Sequence, residues 1–182
     1  NEKEAMVMTK KFLSYMPNSI NELPQRILSK DKVSRKDKFL LNVIPRNKRE
    51  SYDIIPIIKS VVDKSSFFEI GRKYGLSVIS GFARLNGYPT VILANNPQVY
   101  GGGWTASASK KVIKIIDLAQ IFPFPILNFV DNPGFVIGTH AEKSATIKYG
   151  AKALAAIYQL KVPICSIILR KVFGVAGAAH MN

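Results

Sequence analysis

The chain has 182 residues, of which 47% are hydrophobic, so it is long enough for a packed core and too apolar for a disordered protein. No apolar run reaches the length that spans a bilayer. The formal net charge of +14 can indicate nucleic-acid binding. The excess of Lys and Arg is spread along the chain, however, and no zinc-finger spacing or RNA-binding aromatic motif accompanies it. We therefore expect neither a nucleic-acid partner nor a membrane partner.

The N-terminal third of the sequence predicts one helix followed by a long connection. Residues 2–16 carry apolar side chains near one face, and Pro17 ends that helix. Residues 18–52 are polar and irregular, and such a length is unusual for a loop inside one compact domain. We therefore predict a linker between two domains. Asp53 can then cap a helix over Ile54–Val62.

From residue 66 onward the pattern alternates between strands and helices. Asn86-Gly87 lies between two apolar runs, which is a strong signal for a β-hairpin. The predicted elements are, in chain order, strands over Leu76–Leu85 and Pro89–Ala94, a helix over 106–121, a strand over Ile126–Val130, a helix from Glu142 to about Leu160, a strand over Pro163–Leu169 and a helix from about Gly174. This order indicates an α/β domain in which helices pack on a sheet.

Few side chains in the sequence are candidates for catalysis. Asp131 ends a predicted strand, so it could be a catalytic acid or could cap the turn that Pro133-Gly134 makes. His140 and His180 lack metal-ligand spacing; we expect His140 in a loop and His180 at a surface or an interface. Trp104 could stack on a ligand ring or pack in the core. No metal site is predicted.

The lone cysteine and the chain ends indicate the context of the protein. Cys165 excludes an intramolecular disulfide and a multi-cysteine metal site; because it lies in an apolar run, we expect a small buried core residue and a reducing compartment. Asn1–Glu4 is polar and no apolar segment follows it, so no secretory signal is predicted. The chain begins without Met and ends soon after a helix begins, so we expect a piece of a longer protein.

Two glycine-containing segments are candidates for contact between a ligand and the backbone. Gly174–Ala179 follows the apolar run Pro163–Leu169, so it predicts a buried strand, a sharp turn and a helix N-terminus. Unpaired N–H groups and small side chains there would suit an oxyanion hole, although tight helix packing also explains small residues. Gly101–Gly103 predicts a loop with unusual backbone angles or close approach to a ligand.

Several short motifs occur in the order and spacing of one known family. Each is weak by itself, and their shared order is specific. They are Phe12–Pro17, Ile44–Asn47, Tyr52–Ile54, Val61–Asp63, Phe67–Ile70, Gly81–Gly87, Asn95–Pro97, Phe129–Phe135, Gly138–Thr139 and Gly150–Lys152. Together they resemble the C-terminal half of the carboxyltransferase (β) subunit of biotin-dependent acyl-CoA carboxylases, of the propionyl-CoA and acetyl-CoA carboxylase type.

The resemblance implies a crotonase-like fold of stacked β-β-α units. Residues 1–52 would be a helix and linker from a missing N-terminal domain, and residues 53–182 a C-terminal carboxyltransferase domain truncated at its end. The implied activity is transfer of a carboxyl group from carboxybiotin to the α-carbon of an acyl-CoA. The alternatives are a biotin-dependent acyl-CoA decarboxylase subunit and a non-catalytic assembly module or inactive paralogue.

The same resemblance implies partners and a location. Biotin would arrive on a separate carrier domain, so the partners are a biotin carboxyl carrier protein, a biotin carboxylase and a second copy of the subunit, which completes the active site. No metal is implied. The fragment alone would be inactive. We expect a cytoplasmic protein, or a mitochondrial matrix protein in a eukaryote.

The resemblance also implies site residues. The N–H groups of Val175 and Ala176 would form the oxyanion hole for biotin. The residues implied in substrate binding are Gly174, Gly177, Ala178, Phe135 and Gly134.

This chain departs from the usual family segment Arg-Lys-x-Tyr-Gly-Gly-Ala-Tyr-Asp at three positions that bear on the site. Val175 replaces a Gly, which would be costly if that position needs a positive φ. Gly177 replaces a Tyr, and Ala178 replaces an Asp that is associated with acyl-chain choice, so we expect a roomier or more apolar acyl pocket. Asn132 also differs from the commoner pattern.

Overall fold

A five-stranded mixed sheet organises the chain in the computed structural model, which describes residues 1–32 and 34–180. Its strands are β1 (Phe68–Ile70), β2 (Val78–Leu85), β3 (Tyr88–Asn95), β4 (Ile126–Asn132) and β5 (Ile164–Val172). They lie side by side in sequence order. The pairs β1–β2 and β2–β3 are antiparallel, whereas β3–β4 and β4–β5 are parallel. The predicted α/β class is therefore confirmed.

Helices precede, connect and follow these strands. They are α1 (Glu2–Leu13), α2 (Ile55–Val61), α3 (Ala106–Ile121), α4 (Thr139–Lys143), α5 (Thr146–Tyr158) and α6 (Gly174–Ala178), with short 3₁₀ helices at Lys38–Leu41 and Tyr100–Gly102. Of the helices in the described part of the chain, none combines the length and the apolar character that a bilayer crossing requires.

The central strands β2, β3 and β4 are buried on both faces along almost all of their length. On one face, α3, α5 and α6 cover a core that contains Phe82, Trp104 and Ala176. On the other face, α2 and the segment before it cover a second cluster that contains Tyr52 and Phe129. This two-sided burial is possible because successive side chains along each strand point to opposite faces.

Local signals predicted several elements accurately. The hairpin turn has Asn86 at φ 51° and Gly87 at φ 81°, the left-handed pair that a type I′ turn requires. Helix α3 has the predicted bounds, and the Thr105 side chain caps it by accepting from the Ala108 N–H at 3.1 Å. The Asp53 carboxylate accepts from the Ile55 N–H at 2.9 Å at the start of α2, but Ile54 and not Asp53 occupies the N-cap position, because the helix begins one residue later than predicted.

The segment between α1 and α2 is irregular but is held against the sheet domain. The Arg35 guanidinium donates to the Val62 carbonyl at 2.8 Å and pairs with Asp31 at 3.1 Å. The Ile27 N–H donates to the Gly87 carbonyl at 3.1 Å. Helix α1 ends at Leu13, before the residue predicted to end it. The division into a linker and a domain stays a prediction.

The helix predicted from Glu142 to about Leu160 is confirmed over α5, but its predicted beginning is wrong, because Glu142 belongs to the separate helix α4. Ala145 has φ 57°, and this left-handed residue separates α4 from α5. His140 consequently lies in α4, where it is exposed, and not in a loop. Alanine gives no signal for a left-handed conformation, so the break could not be read from the apolar pattern.

Strand β5 is more exposed than its apolar sequence predicts. It pairs only with β4 in the sheet that the structure describes, and Ile168 is 51% exposed. Cys165 is also exposed, so the prediction of a core cysteine is wrong. Near its end β5 carries extra residues relative to β4, because Val130 pairs with Ile168 whereas Asn132 pairs with Val172.

Candidate active site

The small-residue segment forms a helix N-terminus with unused backbone donors. Gly174 has φ 62° and turns the chain from β5 into α6. The N–H groups of Gly174, Val175 and Ala176 make no hydrogen bond within the described residues, whereas the Gly177 N–H donates to the Phe173 carbonyl at 3.0 Å. We call these three donors the α6 N–H groups. A Cβ built on Gly174 meets nothing within 4 Å, so the space beside the turn is open.

Val175 is compatible with this turn. The left-handed backbone falls on Gly174, and Val175 is absent from the residues with positive φ in the described chain. Its side chain is 64% exposed, so the β-branched group clashes with no packed neighbour. A β-branched residue is costly only where φ is positive, and the predicted obstacle to a working oxyanion hole therefore does not arise at this position.

The remaining predicted residues of α6 have different surroundings. A Cβ on Gly177 would lie 2.7 Å from the backbone carbon of Val172, so helix packing requires glycine there. Ala178 is exposed. The structure therefore gives Gly177 a packing role and leaves Ala178 facing solvent, where it could contact a ligand.

The turn after β4 approaches α6 but sends its aromatic ring elsewhere. Gly134 has φ 117°, and a Cβ built there would lie 3.7 Å from the Phe173 carbonyl oxygen. The ring of Phe135 packs inward, 6.2 Å from the Trp104 ring and against Gly150 of α5. Gly134 thus lies beside Phe173, the residue before α6, whereas Phe135 holds the turn on the core.

Asp131 has neither of the two roles predicted for it. Its carboxylate is fully buried and pairs with the Arg170 guanidinium at 3.1 Å. It also accepts from the Tyr52 hydroxyl at 2.9 Å and from the Lys171 N–H at 3.1 Å. The residue that caps the following turn is Asn132, whose Oδ1 accepts from the Gly134 N–H at 2.9 Å. A carboxylate held by an ion pair is not available as a catalytic acid.

This ion pair also fixes the segment before α2. Arg170 donates to the Glu50 carbonyl at 2.8 Å and lies 5.0 Å above the Tyr52 ring. Burial and the neighbouring Asp131 carboxylate raise the pKa of Tyr52 above its usual range, so its hydroxyl stays protonated and donates. The sequence gives little signal for this cluster, because its members are far apart along the chain.

His180 is buried, so the predicted surface position is wrong. It is only 3% exposed, because α6 turns the end of the described chain back onto β4. Its ring nitrogens lie 2.9 Å from the Asn128 amide nitrogen and 3.0 Å from the Asn132 amide nitrogen. Burial lowers the pKa of His180 to about 4, so the ring is neutral at pH 7. A polar Asn128 inside the apolar β4 run was the available signal that a buried partner must exist.

The two remaining candidates are structural. Trp104 is fully buried, with the His180 ring edge-on to it at 5.1 Å, so core packing is the correct alternative. Gly101 and Gly102 have φ 62° and 89°, which confirms unusual backbone angles. A Cβ on Gly102 would lie 2.3 Å from the Asp131 carbonyl oxygen, so the close approach is to β4. No group of three metal-ligating side chains occurs within residues 1–32 and 34–180.

Comparison with known proteins identifies a family model and several relatives that match this chain. A family model described as a carboxyl transferase domain matches residues 1–181. The carboxyltransferase subunit of propionyl-CoA carboxylase from Haloferax mediterranei is 36% identical over 95% of this chain and 34% of its own length. The α subunit of methylmalonyl-CoA decarboxylase from Veillonella parvula is 33% identical over 96% of this chain and 34% of its own length.

A solved structure agrees with these relatives. Transcarboxylase 12S, a hexamer with methylmalonyl-coenzyme A bound, superposes with a TM-score of 0.93 and 31% identity over 98% of this chain and 34% of its own. These matches confirm the predicted resemblance and the crotonase-like α/β fold. The chain spans about a third of the length of the curated relatives it matches.

Proposed function

The chain belongs to the carboxyl transferase domain family, and on that premise we propose that it supplies one half of a carboxyl-transfer site. The reaction moves a carboxyl group from carboxybiotin to the α-carbon of an acyl-CoA. The observation that carries the proposal is the set of α6 N–H groups, which have no hydrogen-bond partner among the described residues and begin at Gly174, beside open space. Backbone donors of this kind stabilise a developing oxyanion without any titrating side chain.

The surroundings of α6 favour backbone chemistry over acid–base chemistry. Asp131 is neutralised by Arg170, and His180 is buried and neutral. The donors of Val175 and Ala176 are fixed because Ala176 is fully buried and Gly177 packs directly on β5. Carboxybiotin, when bound, would supply the carboxyl group and present its ureido oxygen to these donors.

The other site residues surround that position in the proposal. Gly134 and Gly174 leave room for a ligand beside the turn, since neither has a neighbour closer than 3.7 Å to an added Cβ. Gly177 allows α6 to lie close to β5, and Phe135 anchors the turn that carries Gly134. Ala178 is exposed next to the donors, and we assign it to acyl-chain selection.

Replacing Ala178 by Asp is expected to shift the preferred acyl-CoA length, and unchanged relative rates across chain lengths would refute this assignment.

The complete site requires more than this chain. In the proposal, residues 1–52 lead in from a first domain that binds acyl-CoA, and residues 53–182 bind the biotin group. The partners are a biotin carrier, a biotin carboxylase and a second copy of the subunit. Residues 1–182 alone are expected to transfer no carboxyl group.

The proposal is tested by removing one donor from α6. In the full-length subunit, Val175→Pro deletes the Val175 N–H at a first-turn helix position where proline is tolerated. We expect kcat for carboxyl transfer from a carboxylated biotin carrier to fall by about 10²–10³-fold. Val175→Ala keeps the N–H and is the matched control, with near-native rates expected. Full activity in Val175→Pro, with native folding shown by circular dichroism, would exclude this oxyanion hole.

A second candidate function is the reverse reaction, decarboxylation of an acyl-CoA. It is favoured by the similarity to the Veillonella parvula methylmalonyl-CoA decarboxylase subunit, at 33% identity. The same hole serves both directions, so the two are separated by measuring carboxylation of free carrier biotin from a carboxylated acyl-CoA. A rate that exceeds the forward rate under matched conditions would favour the decarboxylase. A non-catalytic role has lost its main support, because Val175 fits the turn.

A further inference from the structure

Three buried polar side chains beneath α6 form one hydrogen-bonded network. His180 lies between Asn128 and Asn132, both at the β4 surface that faces α6, and all three residues are almost completely buried. Asn132 also donates to the Ala176 carbonyl at 3.4 Å and accepts from the Gly134 N–H at 2.9 Å. The network therefore connects β4, the turn at Gly134 and the helix that carries the α6 N–H groups.

The Gly134 contact determines the orientation of the Asn132 amide. Because the Gly134 N–H must meet an oxygen, the Asn132 Oδ1 faces the turn and the NH₂ group faces Ala176 and His180. The Asn132 NH₂ then donates to the His180 Nε2 at 3.0 Å. A neutral imidazole has one acceptor nitrogen and one N–H donor. With Nε2 accepting, the proton of His180 lies on Nδ1.

Asn128 must then accept a hydrogen bond from the His180 Nδ1–H. The Nδ1–H of His180 needs an acceptor 2.9 Å away, where amide nitrogen and oxygen are interchangeable by a flip of the side chain. After the flip, Asn128 Oδ1 accepts from both His180 and the Ser166 hydroxyl, which lies 3.1 Å away. The flip is required by the His180 N–H alone, because the other end of the Asn128 amide has no partner among the described residues. The order of donation is thus Asn132 to His180 to Asn128.

We propose that Asn132 and His180 are positioning residues, which hold the first turn of α6 against the Gly134 turn through a His180 ring fixed in the Nδ1–H tautomer. The inference rests on the proposed function, because the group being positioned is the pair of donors at Val175 and Ala176. Ala176 connects the network directly to the donors, because its carbonyl accepts from the Asn132 amide and its own N–H is one of the α6 N–H groups. Displacement of a reacting geometry by 1 Å can lower a rate by about a hundredfold.

Kinetics of the full-length subunit with its biotinylated carrier provide the first test. We expect His180→Leu to lower kcat by roughly a hundredfold while KM for acyl-CoA changes less than about twofold. His180→Gln restores one acceptor and one donor, and it should recover at least tenfold of the lost kcat. His140→Gln, in exposed α4, is the matched control and should be silent. Native kcat in His180→Leu would overturn the inference, as would equal losses in the Leu and Gln variants.

A spectroscopic test is independent of activity. ¹⁵N NMR of the histidine-labelled wild-type subunit should show His180, assigned by the signal missing in His180→Gln, with a protonated Nδ1 and an unprotonated Nε2 at pH 7. The opposite tautomer would overturn the inference even if the enzyme transfers carboxyl groups. If wild type shows no transfer in either direction while NMR shows the Nδ1–H tautomer, the proposed function fails and the network stands.

Discussion

Asp131 and Asn132 are consecutive residues at the end of β4, and they face opposite sides of the sheet into surroundings of different charge. Asp131 meets an Arg, a Tyr and a backbone N–H on the α2 side. Asn132 meets only uncharged groups on the α6 side. Both are fully buried. The charged pair of Asp131 and Arg170 thus holds β5 and the segment before α2 in place. The α6 side, where the proposed oxyanion would bind, is held by hydrogen bonds between uncharged groups.

The largest expected effect comes from removing the charge on the α2 side. Asp131→Ala leaves the Arg170 guanidinium, whose side chain is 10% exposed, without its partner. Breaking a buried ion pair in this way costs about 3–5 kcal/mol of unfolding free energy, measurable by urea denaturation. Glu69→Ala is the control, because its partner Arg72 is 84% exposed and the pair is 3.7 Å apart; there we expect less than about 1 kcal/mol. Similar losses in both variants would show that the buried Asp131–Arg170 pair stabilises the fold no more than an exposed pair does.

Acid should destabilise the uncharged hydrogen-bond network on the α6 side of β4, because it contains the titratable residue His180. The pKa of His180 is lowered to about 4 in the folded protein, against about 6.5 when unfolded. The fold favours the neutral ring, so its contribution is complete above about pH 6.5 and is lost as the pH falls toward 4. Complete loss corresponds to about 3 kcal/mol. Asn128, Asn132 and Trp104 face the ring and are uncharged.

The measurement is the unfolding free energy of wild type minus that of His180→Gln between pH 7 and pH 4. Carboxylates titrate in both proteins, so their contribution cancels in the difference. A difference that stays constant over this range would show that His180 is not held neutral by burial.

A smaller effect is expected where α6 packs on β5. Gly177→Ala places a methyl group 2.7 Å from the Val172 backbone, and overpacking of this kind costs about 1–3 kcal/mol. Ala178→Ser changes an exposed neighbour and should stay within about 0.5 kcal/mol of wild type. Thermal and urea unfolding of both variants provide the comparison, and a neutral Gly177→Ala would mean that α6 can move away from the strand.

The smallest effect is expected at Val175. Val175→Gly restores the residue that the family segment usually has, but φ at this position is not positive. We expect kcat within about twofold of wild type and a stability change of about 0.5 kcal/mol from helix propensity alone. A large gain in kcat would show that the valine side chain obstructs the donors.

The sequence predicted best those elements whose cause is local. The Asn86-Gly87 turn and helix α3 with its Thr105 cap depend on neighbouring residues only, and they lie where expected. Asp131 could not be understood locally, because Arg170 lies 39 residues away in sequence. The exposure of Cys165 also depends on which strands lie beside β5. An apolar run in the sequence does not distinguish an edge strand of a sheet from a central strand.

In the candidate site too, features with a local cause were predictable from the sequence, and features that depend on distant residues were not. A helix beginning near Gly174 followed from its small residues and the preceding apolar run. That Gly174, and not Val175, takes the left-handed backbone required coordinates. The burial of His180 was hidden because its partners belong to β4, about fifty residues earlier.

The alternation of Asp131 and Asn132 limits how β4 can change over evolutionary time. Substitutions can adjust the two sides separately, since each side chain has its own partners. Inserting or deleting one residue within β4 would exchange them, because side chains along a strand alternate with a period of two. The carboxylate would then lie under α6, and the amide would face Arg170. Insertions and deletions among descendants of this chain should therefore occur in its loops, while the length and register of β4 stay unchanged.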